Sequence, residues 1–212
     1  MEKILYIDQK KIDLSKCEVL YSRPFSEESL KEDFDAVSGN WSVDADGWLT
    51  GFHRDNSGGM LYSKASYGDT IMEFDAYAVP PCGNDLNFVL RTEGWDFEKN
   101  DAGRGYIAGL GGWWLNKAGI EKYPSCMPRV LTSLFPLESG KIYRIVTGCM
   151  EGHCFIFADG QLIVEMTDPN YQDFADCGKI GFGTYASHIK YRNFTLYKPV
   201  SEYRELSYTP DF

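Results

Sequence analysis

The chain has 212 residues, 43% of them hydrophobic, which is enough for a large packed core. Its 31 acidic residues outnumber 21 Lys and Arg, leaving a formal charge of −10. That excludes nucleic acid and anionic membrane as partners, because both are held by clustered positive charge. No apolar run reaches the ~20 residues that span a bilayer. The N-terminal stretch MEKILYIDQKK shows no apolar segment ending in a small-residue cleavage site, so a cytoplasmic chain is expected.

In chain order, Lys3–Ile7 and Glu18–Ser22 read as short strands. Ser26 can cap a helical turn running towards Phe34, and Ser29 with Glu32 has capping-box spacing. Trp41–Gly51 reads as a hairpin turning at Asp46-Gly47. His53–Gly59 is a loop by composition. Strands are expected at Met60–Lys64 and at Asp69–Val79, whose Met72, Phe74, Ala76 and Ala78 share a core face, with Glu73 and Asp75 on the other. Further strands are expected at Lys117–Tyr123, Arg129–Phe135, Lys141–Met150, His153–Ala158, Gln161–Met166, Gly178–Tyr185 and Lys190–Lys198. Strands at such close, regular intervals mark an all-β sandwich or barrel. One domain over 1–212 is expected, with its core at about 18–198 and a polar tail after Pro199.

Between them lies the stretch Asp85–Trp114. On its first strand Leu86, Phe88, Leu90 and Thr92 form one face, and Asp85, Asn87, Val89, Arg91 and Glu93 form the other. The second strand is nearly bare at Gly105, Gly109, Gly111 and Gly112, and ends in Trp113 and Trp114. Glycine inside a strand marks close approach of a ligand or another backbone. Bare backbone beside amides and acids, with indoles at the rim, suits a sugar, whose apolar ring face stacks on aromatics. A solvated outer face is the alternative. The site face is expected to be wet and acidic.

The motifs Trp41-Ser-Val-Asp-Ala-Asp-Gly-Trp48, Gly59-Met-Leu-Tyr-Ser-Lys64, Tyr67-Gly-Asp-Thr-Ile-Met-Glu-Phe-Asp-Ala76, Asn87-Phe-Val-Leu-Arg91, Phe157-Ala-Asp-Gly-Gln161 and Gly178-Lys-Ile-Gly-Phe-Gly-Thr184 resemble the concanavalin A-like lectin/glucanase superfamily. Within that superfamily the motifs resemble the 3-keto-disaccharide hydrolase-like domain, often labelled family 16 glycoside hydrolase. The resemblance implies a concanavalin-like jelly-roll sandwich of two antiparallel sheets whose concave side takes carbohydrate. True family 16 glucanases carry Glu-x-Asp-x-x-Glu; here Glu73-Phe-Asp75 is followed by Ala78 at the third acidic position. That mechanism therefore does not transfer.

Candidate acids and bases are Glu73, Asp75, Glu93, Glu121 and His53; Glu93 or Asp85 could approach Glu73 and Asp75 if their strands are neighbours. Candidate binding residues are Asn87, Arg91, Trp95, Tyr106, Trp113, Trp114, Asn116 and Lys117. Each has a plain structural reading too: cross-strand ion pairs for Arg91 and Glu93, turn chemistry for Asn116-Lys117. No cofactor is expected, although acids with a His could hold a divalent cation. Cys17, Cys82, Cys126, Cys149, Cys154 and Cys177 form no CxxC pair and are expected to be free thiols. The function expected is cleavage of a glycosidic bond, by hydrolysis or by elimination from a 3-keto-glycoside. A non-catalytic lectin-like module is the rival. The partner is a carbohydrate or glycoside.

Overall fold

The computed structural model describes residues 3–53 and 58–205, apart from the side chains of Trp113 and Trp114. The described residues form a concanavalin-like jelly-roll sandwich of two antiparallel sheets. The front sheet runs, in spatial order, Met127–Thr132, Ala118–Tyr123, Gly105–Leu110, Leu86–Thr92, Lys179–Tyr185, Gly58–Ser63 and Phe34–Ser38. The back sheet runs Gln161–Thr167, His153–Ala158, Ile142–Met150, Thr70–Ala78, His188–Lys198, Leu49–Phe52 and Asn40–Val43, with Glu18–Tyr21 also paired to His188–Lys198.

Strand alternation builds the core. Met72, Phe74, Ala76 and Ala78 of the back sheet meet Leu86, Phe88 and Leu90 of the front sheet, and all seven side chains are fully buried. Phe74 is the hub. Its ring meets Phe88 at 5.1 Å, Phe182 at 5.3 Å and Tyr191 at 5.6 Å, each edge to face. Edge-to-face packing is the geometry that aromatic quadrupoles prefer.

The outer face of the back sheet is also apolar at Ile71, Val146, Phe155 and Phe157, and it needs a cover. Ile4–Ile7, Lys10–Asp13 and Ser201–Tyr203 form a small third sheet that supplies one. Leu5, Ile7, Ile12 and Leu14 pack on that surface. The segment after Pro199, expected as a polar tail, therefore begins with a strand that pairs with Lys10–Ile12.

Two local readings are corrected. Glu27–Asp33 is helical and Ser26 caps it, but the capping box is Ser26 with Ser29; Glu32 instead meets Arg23 at 2.6 Å. The chain leaves that helix directly into edge strand Phe34–Ser38, which the helical reading hid. The second strand of the central stretch stops at Leu110. Gly111 takes φ +92°, where an added Cβ would lie 2.5 Å from the Asn84 carbonyl oxygen, and Gly112–Asn116 form a single π-helical turn. All six cysteines are free, as expected.

Phe74→Ala should lower unfolding stability by about 3–5 kcal/mol in urea melts, the usual cost of emptying an aromatic core site. A loss below about 1 kcal/mol would contradict the packing described.

Candidate functional site

Because Leu86, Phe88 and Leu90 point into the core, Asn87 and Val89 point out of the front sheet. The register places Gly109 beside Asn87 on one flank and Gly183 on the other, with Gly119 beyond Gly109. At a strand spacing of ~4.8 Å this row, Gly119–Gly109–Asn87–Gly183, is about 14 Å long and carries one side chain. Gly119 and Gly183 are packed closely. A Cβ on Gly183 would sit 3.0 Å from the Met60 sulfur and 3.2 Å from the Asn87 Cβ.

Asn87 Nδ2 donates to Asp85 Oδ2 at 3.0 Å. The amide oxygen Oδ1 of Asn87 has no partner among the described residues. Asp85 Oδ1 accepts from the Tyr185 backbone N–H at 3.2 Å. The backbone N–H groups of Asn84 and Asp85 both donate to Ser187 Oγ. Burial pushes the Asp85 carboxyl up to about 6, against hydrogen bonds from Tyr185, Ser187 and Asn87 that pull it down. The Gly112 turn crosses beside this carboxyl: a Cβ there would be 3.6 Å from Oδ2.

Towards the other end the face changes character. Met60, Tyr62, Val89 and Ile107 point outward yet are buried, because Trp95–Asp96 and Asp101–Ala102 fold over them as a small hairpin. The expectation of a wet, acidic face is therefore not met: Asp85 and Asn87 are polar but buried, at 5% and 8% exposure, and the far end is apolar. A cleft of about 490 Å³ opens between this hairpin and strand Phe34–Ser38, lined by Asp35, Val37, Tyr62, Glu93, Trp95, Phe97 and Lys179 among others.

The predicted site residues fall into separate groups. Asn87 and Glu121 are on the front face; Glu121 Oε2 faces the Tyr123 hydroxyl at 3.4 Å, away from Asp85. Trp95 and Glu93 line the cleft. Glu93 accepts from the backbone N–H and the Nε of Arg104, each at 2.8 Å, and so closes the base of the hairpin.

Arg91 is a correction. Its φ of +43° falls at a break in register against Lys179–Gly181, so its side chain leaves the front face. It is buried, donates to the Phe174 carbonyl at 3.1 Å and pairs with Asp69 at the start of the back-sheet strand Thr70–Ala78. Tyr106 is a second correction: it points into the core, fully buried, and donates to Asp168 at 2.7 Å. Asn116 bonds both ways to the Leu137 backbone and closes a turn. Lys117 ends that turn, donating its N–H to the Gly112 carbonyl. His53 is half-buried; its N–H donates to the Ser187 carbonyl, and the following residues 54–57 lie outside the described set. The backbone of Trp113 and Trp114 forms the turn beside Asp85, and their side chains lie outside the described set.

Glu73 and Asp75 are the third correction. Their strand belongs to the back sheet, so neither Asp85 nor Glu93 approaches them. Arg144 bridges the two, at 2.9 Å to Glu73 and 3.0 Å to Asp75. Tyr197 and Asn193 supply further hydrogen bonds. Among the described residues no group of three or more His, Cys, Asp or Glu could hold a metal ion. Sequence reasoning missed Tyr62, Gly119 and Gly183 as parts of the front face. Strand alternation puts Tyr62 on that face, but only the order of strands brings it near Trp95.

No known protein family matches the chain in sequence, and no curated protein does either. Solved structures match in fold. A Bacillus subtilis protein with a galectin-like fold has a TM-score of 0.67 at 18% identity, covering 90% of this chain and 99% of that one. The carbohydrate binding module CBM66 from Bacillus subtilis has a TM-score of 0.62 at 18% identity, covering 78% and 96%. The Bacillus licheniformis β-glucanase has a TM-score of 0.58 at 14% identity, covering 86% and 98%. Similarity at this level establishes the fold alone.

The raised Asp85 carboxyl fixes a sign. The folded state holds this proton up to about pH 6, whereas the unfolded chain releases it near pH 4. Stability from this group is therefore present at low pH and lost as pH rises between those values. Relative to Asp85→Asn, the parent should lose about 2 kcal/mol from pH 4 to pH 7 in paired denaturant melts. Parallel pH profiles would contradict the assignment.

Proposed function

We propose that this protein binds carbohydrate on the outward face of the front sheet, along the row centred on Asn87. The observation that carries this reading is Asn87 Oδ1, which has no partner among the described residues and is held beside Asp85 in a row otherwise made of glycine. An amide fixed by a carboxylate presents an acceptor to a sugar hydroxyl, and the glycines in its row add no side chain of their own, although Met60 packs on Gly183 and Leu131 on Gly119. The fold adds weight, since structures named as a carbohydrate binding module and a β-glucanase share it.

Two-carboxylate hydrolysis gains little support. Retaining and inverting glycosidases need their carboxyls about 5–5.5 Å or 6.5–9.5 Å apart. Asp85 and Glu121 are separated by two strand spacings and four residues along the strand, about 17 Å between Cα positions. Their side chains are also anchored in diverging directions, to Tyr185 and Tyr123. Glu73 and Asp75 are on the other sheet.

A second reading, elimination from a 3-keto-glycoside, needs a single base beside an acidified C–H. Asp85 favours it, because a carboxyl titrating near 6 can exchange a proton close to neutral pH. The 3-keto-disaccharide hydrolase-like resemblance points to that substrate class.

Calorimetric titration with a panel of neutral oligosaccharides tests the first reading, and incubation with glycosides and their 3-keto forms, read by product mass, tests the second. Asn87→Ala should weaken oligosaccharide binding about tenfold, the usual weight of one hydrogen bond to a neutral group. If a 3-keto-glycoside is cleaved, Asp85→Asn should abolish turnover. Unchanged affinity in Asn87→Ala would remove this row from the site.

A further inference from the structure

The front face holds a second feature that the row at Asn87 does not use. Tyr62 is 1% exposed, and its ring helps to line the cleft between the hairpin and strand Phe34–Ser38. Its hydroxyl is buried and has no hydrogen-bond partner among the described residues. Folded proteins leave few buried polar atoms in that condition, and each calls for a partner such as a water, an ion or a ligand.

The walls narrow the choice of occupant. Trp95 and Phe97 bring an indole and a phenyl ring; Phe97 is 78% exposed although it is large and apolar. Lys179 crosses over Gly94, its Nζ 3.7 Å from where a Cβ would stand. Among the described residues neither Lys179 nor Asp35 forms an ion pair, while Glu93 is neutralised by Arg104. Aromatic walls, one free cation, one free anion and a buried phenol suit a neutral ring rich in hydroxyls: aromatic faces take its C–H side, and the polar groups take its rim. A cleft of about 490 Å³ lies within the range of small-ligand sites.

We infer that this cleft is a distinct subsite for one neutral pyranose ring, stacked on Trp95 and hydrogen-bonded by the Tyr62 hydroxyl. The inference rests on the carbohydrate reading of the front face and extends it from the Asn87 row to the hairpin end. Met60 links the two regions: it packs on Gly183 of the Asn87 row and belongs to the Tyr62 cluster. An oligosaccharide lying along the face would occupy both.

The test uses the full chain labelled with 5-fluorotryptophan, the Trp95 resonance being assigned from Trp95→Phe. The probes are methyl hexopyranosides, methyl hexuronides and neutral tri- and tetrasaccharides. A neutral methyl hexopyranoside should shift the Trp95 resonance. Tyr62→Phe should weaken that binding at least fivefold while its melting temperature equals or exceeds the parent's, since the change deletes an unpartnered hydroxyl. Asn87→Ala should leave the monosaccharide shift at Trp95 in place and weaken only the longer saccharides. Saccharide binding that depends on Asn87 but neither moves Trp95 nor responds to Tyr62→Phe overturns the subsite and leaves the Asn87 reading standing. Shifts by hexuronides alone overturn the neutral-ring assignment. No saccharide binding at all overturns both.

Discussion

The register of one strand holds this structure together. Phe88 sits against Phe74 and Tyr191 between the sheets, and so fixes which residues of Leu86–Thr92 face inward. Strand side chains alternate, so a slip of one residue would bring Asn87 into the core and push Phe88 out. The energy at stake is that of an aromatic cluster, several kcal/mol for each large side chain. No polar contact on the front face approaches that. The functional face is therefore set by the core behind it.

The same logic explains why two groups of acids, close in sequence, end on opposite sides of the molecule. Glu73 and Asp75 alternate with Met72, Phe74 and Ala76, and their strand faces the core from the other sheet. Their outward surface is a lattice of charge: Arg144 between two carboxylates, with Tyr197 and Asn193 completing it. Such a network satisfies its own members. Asp85 differs in kind. It is buried, it holds Asn87 by one oxygen, and burial leaves its proton loosely balanced near pH 6. A carboxyl raised by burial beside an amide oxygen that has no partner among the described residues differs in chemistry from an arginine-clamped pair.

Much of the fold was legible because period-two patterning needs no knowledge of neighbours. The core faces of Thr70–Ala78 and Leu86–Thr92 read directly from alternation. The Asp46-Gly47 turn was visible for a local reason: Gly47 takes φ +76°. The site was less legible. Arg91 looked like a member of the polar face by alternation, but a left-handed backbone at that residue breaks the period and turns the guanidinium towards Asp69. Tyr106 is less legible because glycines interrupt the alternation of its strand, and its parity turns it into the core. Ser201–Tyr203 is hidden because it is short and gains its partner from the opposite end of the chain, and Lys10–Asp13 because it is a four-residue strand with a single apolar residue, although it pairs locally with Ile4–Ile7. Gly119 and Gly183 acquire meaning only from sheet order, which places them in line with Asn87 across three other strand contacts.

The central claim is spatial: the ligand face is the outer surface of the front sheet. A crystal structure of the full chain soaked with an oligosaccharide identified by calorimetry tests it most directly. The account predicts saccharide density over Asn87 and its flanking glycines, with a hydroxyl within hydrogen-bond distance of Asn87 Oδ1. Density on the back sheet, near Glu73, Asp75 and Arg144, would contradict it.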